Sequence, residues 1–184
     1  MKEIFLNIEY LKFGNYKQKF AYKEINKYKI FEKLNKYNPI LVGTIPIEID
    51  LPNSDLDIIC ECKNHSEFSD FLKKEFSNQK DFKIHTITKY QGIKSTIAKF
   101  KTDNFIIEIF GQNIPTEKQN AYLHMIIENK ILTEKGLKFK NRIIELKKNG
   151  IKTEPAFAKL LGLKGNPYDE LLKLYTKHYG QQKI

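Results

Sequence analysis

One stretch, residues 40–60, constrains the fold and the chemistry of this chain more than any other. It begins with a short β-branched run at 40–42, breaks at Gly43, passes through a loop that two prolines stiffen, and resumes as an apolar run at 56–60. Short apolar runs separated by Gly and Pro are typical of two strands that a loop joins. We therefore predict a strand, a turn, a loop and a second strand, in that order.

Two carboxylates stand at the beginning of the second predicted strand, Asp55 and Asp57. Because strand side chains alternate between the faces of a sheet, both project from the same face. Two like charges held side by side repel each other and are costly to desolvate, so the pair indicates a bound cation. Oxygen ligands of this kind suit Mg²⁺ or Mn²⁺. The plainer alternative is an ordinary turn in which Asp caps backbone groups.

A third acid, Glu108, interrupts the otherwise apolar run at 104–110. If that strand lies beside the strand of Asp55 and Asp57, three carboxylates converge on one point. A site for metal-assisted phosphoryl or nucleotidyl transfer requires such a convergence.

Taken together, Gly43-Thr44, then Asp55 and Asp57 among apolar residues, and later Glu108, resemble the signature of the nucleotidyltransferase superfamily, the polymerase-beta-like fold. A closer resemblance covers nearly the whole chain. Segments such as Val-Gly-Thr-Ile-Pro-Ile and Lys-Thr-Glu-Pro-Ala-Phe-Ala resemble those of a family of small bacterial proteins. That family is classed as a domain of unknown function within the same superfamily.

The resemblance implies that Gly43, Thr44 and Ser54 bind the nucleotide and that the three acids are the catalytic metal ligands. The implied reaction is transfer of a nucleoside monophosphate from an NTP to a hydroxyl of an acceptor, which is a small molecule, a protein or RNA. Thr44 departs from the commoner Ser, and Glu108 from the usual Asp. Two alternatives stay open: a non-catalytic module that binds nucleotide or RNA, and an interaction protein of the toxin or antitoxin type.

We predict a single α+β (α/β) unit over residues 1–184. Helices occupy 1–38, a mixed or antiparallel sheet of about five strands forms the core at 39–112, and a helical cap follows at 113–184. Further predicted elements are a helix at 63–80, strands at 82–90 and 95–101 around Gln91-Gly92, and cap helices at 137–148, 154–161 and 168–179.

A helix that begins just after the Glu108 strand can direct polar side chains into the active-site cleft. The candidates are Gln119, Asn120, Tyr122 and His124, which would touch a nucleotide or act as a general base. For His124, a structural histidine with satisfied hydrogen bonds is the competing interpretation.

Charge and cysteine content limit the partners and the compartment. The net charge is +10, but residues 41–134 hold fourteen acids against eleven Lys, so the basic excess lies in the two flanks. Arg142 is the one arginine among 32 basic residues, so nucleic acid is a possible partner but not a favoured one. Cys60 and Cys62 fit a reducing compartment, and no apolar run reaches the roughly 18 residues of a membrane span. We expect a cytoplasmic protein.

Overall fold

The computed structural model describes residues 3–89 and 92–180. Both ends of the predicted unit, the last residue of the predicted strand at 82–90, and Gln91 of the predicted turn lie outside the described residues. The strands are β1 (Ile40–Val42), β2 (Leu56–Glu61), β3 (Lys80–Lys89), β4 (Ile93–Lys101) and β5 (Ile106–Gln112). The α-helices are α1 (Tyr16–Lys27), α2 (Ile30–Leu34), α3 (His65–Phe76), α4 (Asn120–Lys148), α5 (Thr153–Leu161) and α6 (Pro167–Tyr179).

The strands form one sheet in the order β1-β2-β5-β4-β3. Strands β2 and β5 are parallel, whereas the other neighbouring pairs are antiparallel. The predicted mixed sheet of about five strands in an α+β chain is therefore confirmed. The parallel pairing matters most for function, because it brings the beginning of β2 beside the beginning of β5.

Each face of the sheet is buried by a different set of helices. Leu56, Ile58 and Ile107 belong to the core on the side of α1 and α3. Val42 and Ile59 belong to the core that α4, α5 and α6 cover on the other side. Side chains along a strand alternate between these two faces. Asp57 lies between Leu56 and Ile58, so it projects from the α4 side of the sheet.

Local signals set the helix boundaries. The Asn64 side chain caps α3 by accepting from the N–H groups of Ser66 and Glu67, as its position before the apolar stripe predicts. Helix α4 is interrupted at Gly136, whose φ of 73° and ψ of −172° are not helical, and this glycine separates its first part from the predicted helix at 137–148. None of the helices in the described residues is both long enough and apolar enough to cross a membrane.

Candidate metal and nucleotide site

The turn after β1 brings the backbone close to a carboxylate. Gly43 has a φ of +84°, in the left-handed region where a side chain is strained. A Cβ atom at this position would lie 2.6 Å from Oδ2 of Asp57. Glycine is therefore required here for two reasons, the backbone conformation and the close approach of Asp57.

Ser54 connects the two ends of the loop between β1 and β2. Its Oγ accepts hydrogen bonds from the Thr44 hydroxyl at 3.4 Å and from the Leu51 N–H at 2.9 Å. Thr44 and Ser54, both predicted to bind nucleotide, thus lie side by side at the mouth of the turn. The long hydrogen bond between them leaves the Thr44 hydroxyl loosely held.

Two helices, one on each face of the sheet, contact the same loop. Gln18 in α1 is 3% exposed, and its Nε2 donates to the carbonyl oxygens of Ile45 and Pro46, at 3.0 Å in each case. From α4, the Lys147 ammonium donates to the carbonyl oxygen of Ile49 at 2.5 Å. The loop that follows Gly43 is therefore held by side chains from two helices rather than by regular secondary structure.

Two of the predicted catalytic acids are direct neighbours on adjacent strands. Asp57 of β2 is paired with Glu108 of β5, and with Val42 of β1 on its other side. Burial, with the nearby carboxylates of Glu108 and Asp55, raises the pKa of Asp57 to about 7. The strand pairing thus concentrates negative charge at one point on the sheet.

A lysine partly neutralises this charge. Lys99 of β4 is paired with Glu108 across β5, and its Nζ lies 2.7 Å from Asp55 Oδ2 and 3.6 Å from Glu108 Oε2. The hydrogen bond to Asp55, reinforced by the charge of Glu108, raises the pKa of the Lys99 ammonium. The ammonium therefore links the two outer acids of the predicted triad.

The donor chemistry of the triad suits a hard divalent cation, since it offers carboxylate oxygens on one face of the sheet. As the side chains stand, no group of three or more His, Cys, Asp or Glu residues in 3–89 and 92–180 is arranged as a set that could hold a metal. Lys99 pairs with two of the three acids, Asp55 and Glu108. Release of those two acids from the ammonium would free them as ligands.

A cavity of about 330 Å³ opens between the sheet and helices α4 and α5. Four of the predicted site residues line it on the sheet side: Gly43, Thr44, Asp57 and Glu108. Its helical side includes His124, Glu128, Thr153 and Glu154. The predicted turn and two of the three acids therefore face an open space under the helical cap.

Of the four cleft candidates on α4, His124 lines this cavity. Asn120 is exposed, and Tyr122 is buried in the core on the α4 side of the sheet. Gln119 is also buried, and its Nε2 donates to the carbonyl oxygens of Cys60 and Ile114. The structure therefore brings one of the four to the acids and places the other three elsewhere.

Sequence reasoning missed Lys99, Glu128 and Glu154. The first could have been found by pairing the predicted strand at 95–101 with the Glu108 strand as a hairpin, because that pairing places Lys99 opposite Glu108. Glu128 belongs to the polar row of α4 with His124, but nothing in the sequence shows that it is buried. Glu154 reaches the cavity only through the packing of α5 on α4.

A larger cavity, of about 700 Å³, lies at the other end of β1 and β2. Its lining includes Glu9, Glu32 and Glu61 but none of the residues predicted for the site. Size alone would favour it, whereas the chemistry favours the smaller cavity, where a glycine turn and paired acids meet.

Comparison with known families places the chain in one of them. A family described as a domain of unknown function, DUF4269, matches residues 23–174. The chain belongs to this family. The predicted resemblance to a family of unknown function is thereby confirmed, and the DUF4269 region includes the whole sheet and every residue of the candidate site. No curated protein matches the sequence.

Among solved structures, the DUF4269 chain is similar to Cid1 poly(U) polymerase. With Mg 3′-dATP bound, the TM-score is 0.53 at 13% identity, over 76% of this chain and 46% of that one. With MgGTP bound, it is 0.51 at 13% identity, over 70% and 41%. These neighbours are nucleotidyltransferases, which confirms the predicted fold. The DUF4269 chain spans less than half of their length.

Proposed function

We propose that this chain is a metal-dependent nucleotidyltransferase that moves a nucleoside monophosphate from an NTP to a hydroxyl of an acceptor. One observation carries the proposal: Asp57 and Glu108 are paired on adjacent strands, and both face a cavity beside the Gly43 turn. The nucleotidyltransferase fold of the neighbours, which were solved with Mg 3′-dATP or MgGTP, supports the ligand class.

In this proposal Asp55, Asp57 and Glu108 hold Mg²⁺ or Mn²⁺. When bound, the metal neutralises phosphate charge and lowers the pKa of the acceptor hydroxyl. The backbone at Gly43 and the hydroxyl of Thr44 position the triphosphate, and Ser54 supports Thr44 from behind.

The reaction has a simple balance. The acceptor oxygen forms a bond to the α-phosphorus, and the bond from that phosphorus to the oxygen leading to the β-phosphate breaks. Pyrophosphate leaves, and the hydroxyl proton passes by way of Glu108 to solvent. Holding the acceptor oxygen in line with the leaving oxygen is the main task of the protein.

Cys60 and Cys62 support a reducing compartment, and we propose the cytoplasm. Both thiols are free and buried. Burial raises the pKa of Cys62 to about 11, so its reactive thiolate form is scarce at neutral pH.

Calorimetric titration of each NTP, with and without Mg²⁺, tests the proposal. We expect metal-dependent binding that Asp55→Asn and Asp57→Asn both abolish, whereas Asp70→Asn, an exposed acid on α3, leaves it intact. If no NTP binds in either condition, the proposal fails. If an NTP binds but no acceptor yields pyrophosphate, the chain is the non-catalytic module instead.

A further inference from the structure

The helical end of the cavity is built from hydrogen-bond acceptors. Glu128 of α4 is 4% exposed, and its Oε1 is buried without a hydrogen-bond partner. Glu154, near the beginning of α5, lines the same space. A buried carboxylate oxygen without a donor is costly, so a residue of this kind facing a cavity indicates that a ligand supplies the missing donor.

The neighbouring histidine adds a third acceptor. Nitrogen Nε2 of His124 lies 3.0 Å from the carbonyl oxygen of Tyr168. A carbonyl oxygen can only accept, so Nε2 carries the hydrogen and the Nδ1 of a neutral His124 is an acceptor. This Nδ1 lies 3.9 Å from Glu154 Oε1, which is too far for a hydrogen bond. His124, Glu128 and Glu154 thus offer acceptors to the same space.

The charge of the cavity also favours a ligand that carries N–H donors. Its charged lining residues are Asp57, Glu108, Glu128 and Glu154, and no Lys or Arg occurs among the lining residues that the structure describes. Lys99 lies 3.6 Å from Glu108, and the charge of Lys147 acts on Glu128, but neither lysine lines the cavity. A ligand that brings both positive charge and several N–H donors satisfies the acceptors and offsets the charge together.

We propose that His124, Glu128 and Glu154 form the acceptor subsite and that it binds a protonated primary amine. This inference rests on the proposed function and deepens it: the acceptor is a hydroxylated amine, bound by its ammonium group, with its hydroxyl directed toward Asp57 and Glu108. An ammonium carries three N–H donors, one for each of the three acceptors.

The experiment uses the histidine as a reporter. The full chain, with ¹⁵N in its four histidines, is titrated with methylammonium, 2-aminoethanol and glucosamine in the absence of NTP and divalent metal. The signal of His124 is assigned with His124→Gln. We expect this signal to shift with all three amines. Tetramethylammonium, which carries the charge without N–H donors, and glucose, which carries no charge, leave it unchanged.

Variants locate the binding. Glu128→Gln and Glu154→Gln each weaken amine binding about tenfold, the loss expected for one charge-assisted hydrogen bond. Two variants are used because Glu154 is more exposed than Glu128, so at least one keeps the native fold. Glu145→Gln, at an exposed position on the same helix, serves as the matched control and leaves amine binding unchanged.

Three results would overturn the amine subsite. One is a His124 signal that ignores all three amines, or that responds equally to tetramethylammonium. Another is an unchanged amine affinity in both Gln variants. The third comes from a separate titration with nucleotides: a signal that responds only to those with an exocyclic amino group, such as ATP and CTP, would make this a base-reading pocket. Because NTP and metal are absent from the amine titration, failure of the subsite and failure of the transferase proposal give different results.

Discussion

At the scale of single residues, Gly43 is a position where the backbone comes close to a candidate catalytic acid. The chain adopts a left-handed conformation there, and Asp57 occupies the space that a side chain would need. A substitution therefore acts twice, once on the backbone and once on the carboxylate. The second effect is the one that concerns function.

Gly43→Ala is expected to destabilise the chain more than Gly150→Ala does. Gly150 has nearly the same φ, +83°, but nothing lies within 4 Å of an added Cβ, so Gly150→Ala measures the backbone strain alone, about 1–2 kcal/mol. The excess in Gly43→Ala reports the clash with Asp57. Urea unfolding gives both free energies, and equal losses would show that Asp57 moves aside without cost.

Glu128 makes the stability of the folded chain depend on pH. Burial, with the charge of Glu154 nearby, raises the pKa of Glu128 well above its ordinary value, while Lys147 opposes this rise. The folded chain therefore keeps a proton on Glu128 at pH values where the unfolded chain has lost it. Stability falls as the pH rises above the unfolded pKa of about 4.3.

Glu128→Gln removes this loss of stability at high pH, because the amide does not ionise. The Tm of the variant should exceed that of the wild type by a few degrees at pH 8, and the difference should shrink toward pH 4.5. Thermal unfolding between these limits measures it, with Glu145→Gln as an exposed control. A difference that does not change with pH would mean that Glu128 is not the titrating group.

At the scale of elements, the loop between β1 and β2 depends on α1. Gln18 serves two functions: its Oε1 accepts from the Asn15 N–H in the capping box of α1, and its Nε2 donates to two carbonyl groups of the loop. The cap of α1 and the loop between β1 and β2 thus depend on the same side chain. Asn15 takes part only in the cap, by accepting from the Gln18 N–H.

Substitutions at Gln18 and Asn15 therefore separate the effect of the helix cap from the effect of the contact with the loop. Gln18→Ala is expected to cost about 1–3 kcal/mol, since it leaves the buried carbonyl group of Pro46 without its donor, and it also weakens binding of Mg-NTP. Asn15→Ala costs about 1 kcal/mol through the cap and leaves Mg-NTP binding as it was. Chemical denaturation and calorimetry on both variants check this. If both variants change the affinity for Mg-NTP equally, the hydrogen bonds from Gln18 to the loop have no role in nucleotide binding.

The elements themselves were largely predictable from the sequence. The run at 40–42 and the cap at Asn64 are local signals, and the structure has β1 at Ile40–Val42 and α3 after Asn64. The parallel pairing of β2 with β5 was not predictable from local pattern, because about fifty residues separate the strands and only tertiary packing chooses the neighbour. That the two strands are neighbours was a condition of the predicted triad, and their parallel direction was not predicted.

The candidate site was predictable only in part, for the same reason. Acids that interrupt apolar strands stand out in a sequence, so Asp57 and Glu108 could be named in advance. Tyr122 and His124 lie on one helix and both were cleft candidates, yet Tyr122 packs in the core while His124 lines the cavity. Helical periodicity gives the angle between two side chains but not which face meets the sheet.

At the scale of the whole molecule, the acidic cavity contrasts with a net charge of +10. The basic residues lie mainly in the flanking segments 1–40 and 135–184, and the acids of the site lie between them. In the proposed function, such a distribution draws an anionic nucleotide toward the molecule, while the acids are the proposed ligands of the metal and the amine. Nucleotide and metal should therefore bind together rather than one without the other.

Electron paramagnetic resonance of Mn²⁺ tests this central claim most directly, because it counts bound metal with and without an NTP. We expect Mn²⁺ to bind tightly only when the NTP is present. Asp55→Asn and Asp57→Asn should abolish that binding, whereas Lys99→Met should strengthen it by removing the competing ammonium. Lys101→Met, whose ammonium pairs with Asp81, is the matched control and should change nothing. Mn²⁺ binding that is the same in all these variants would contradict the assignment of the site.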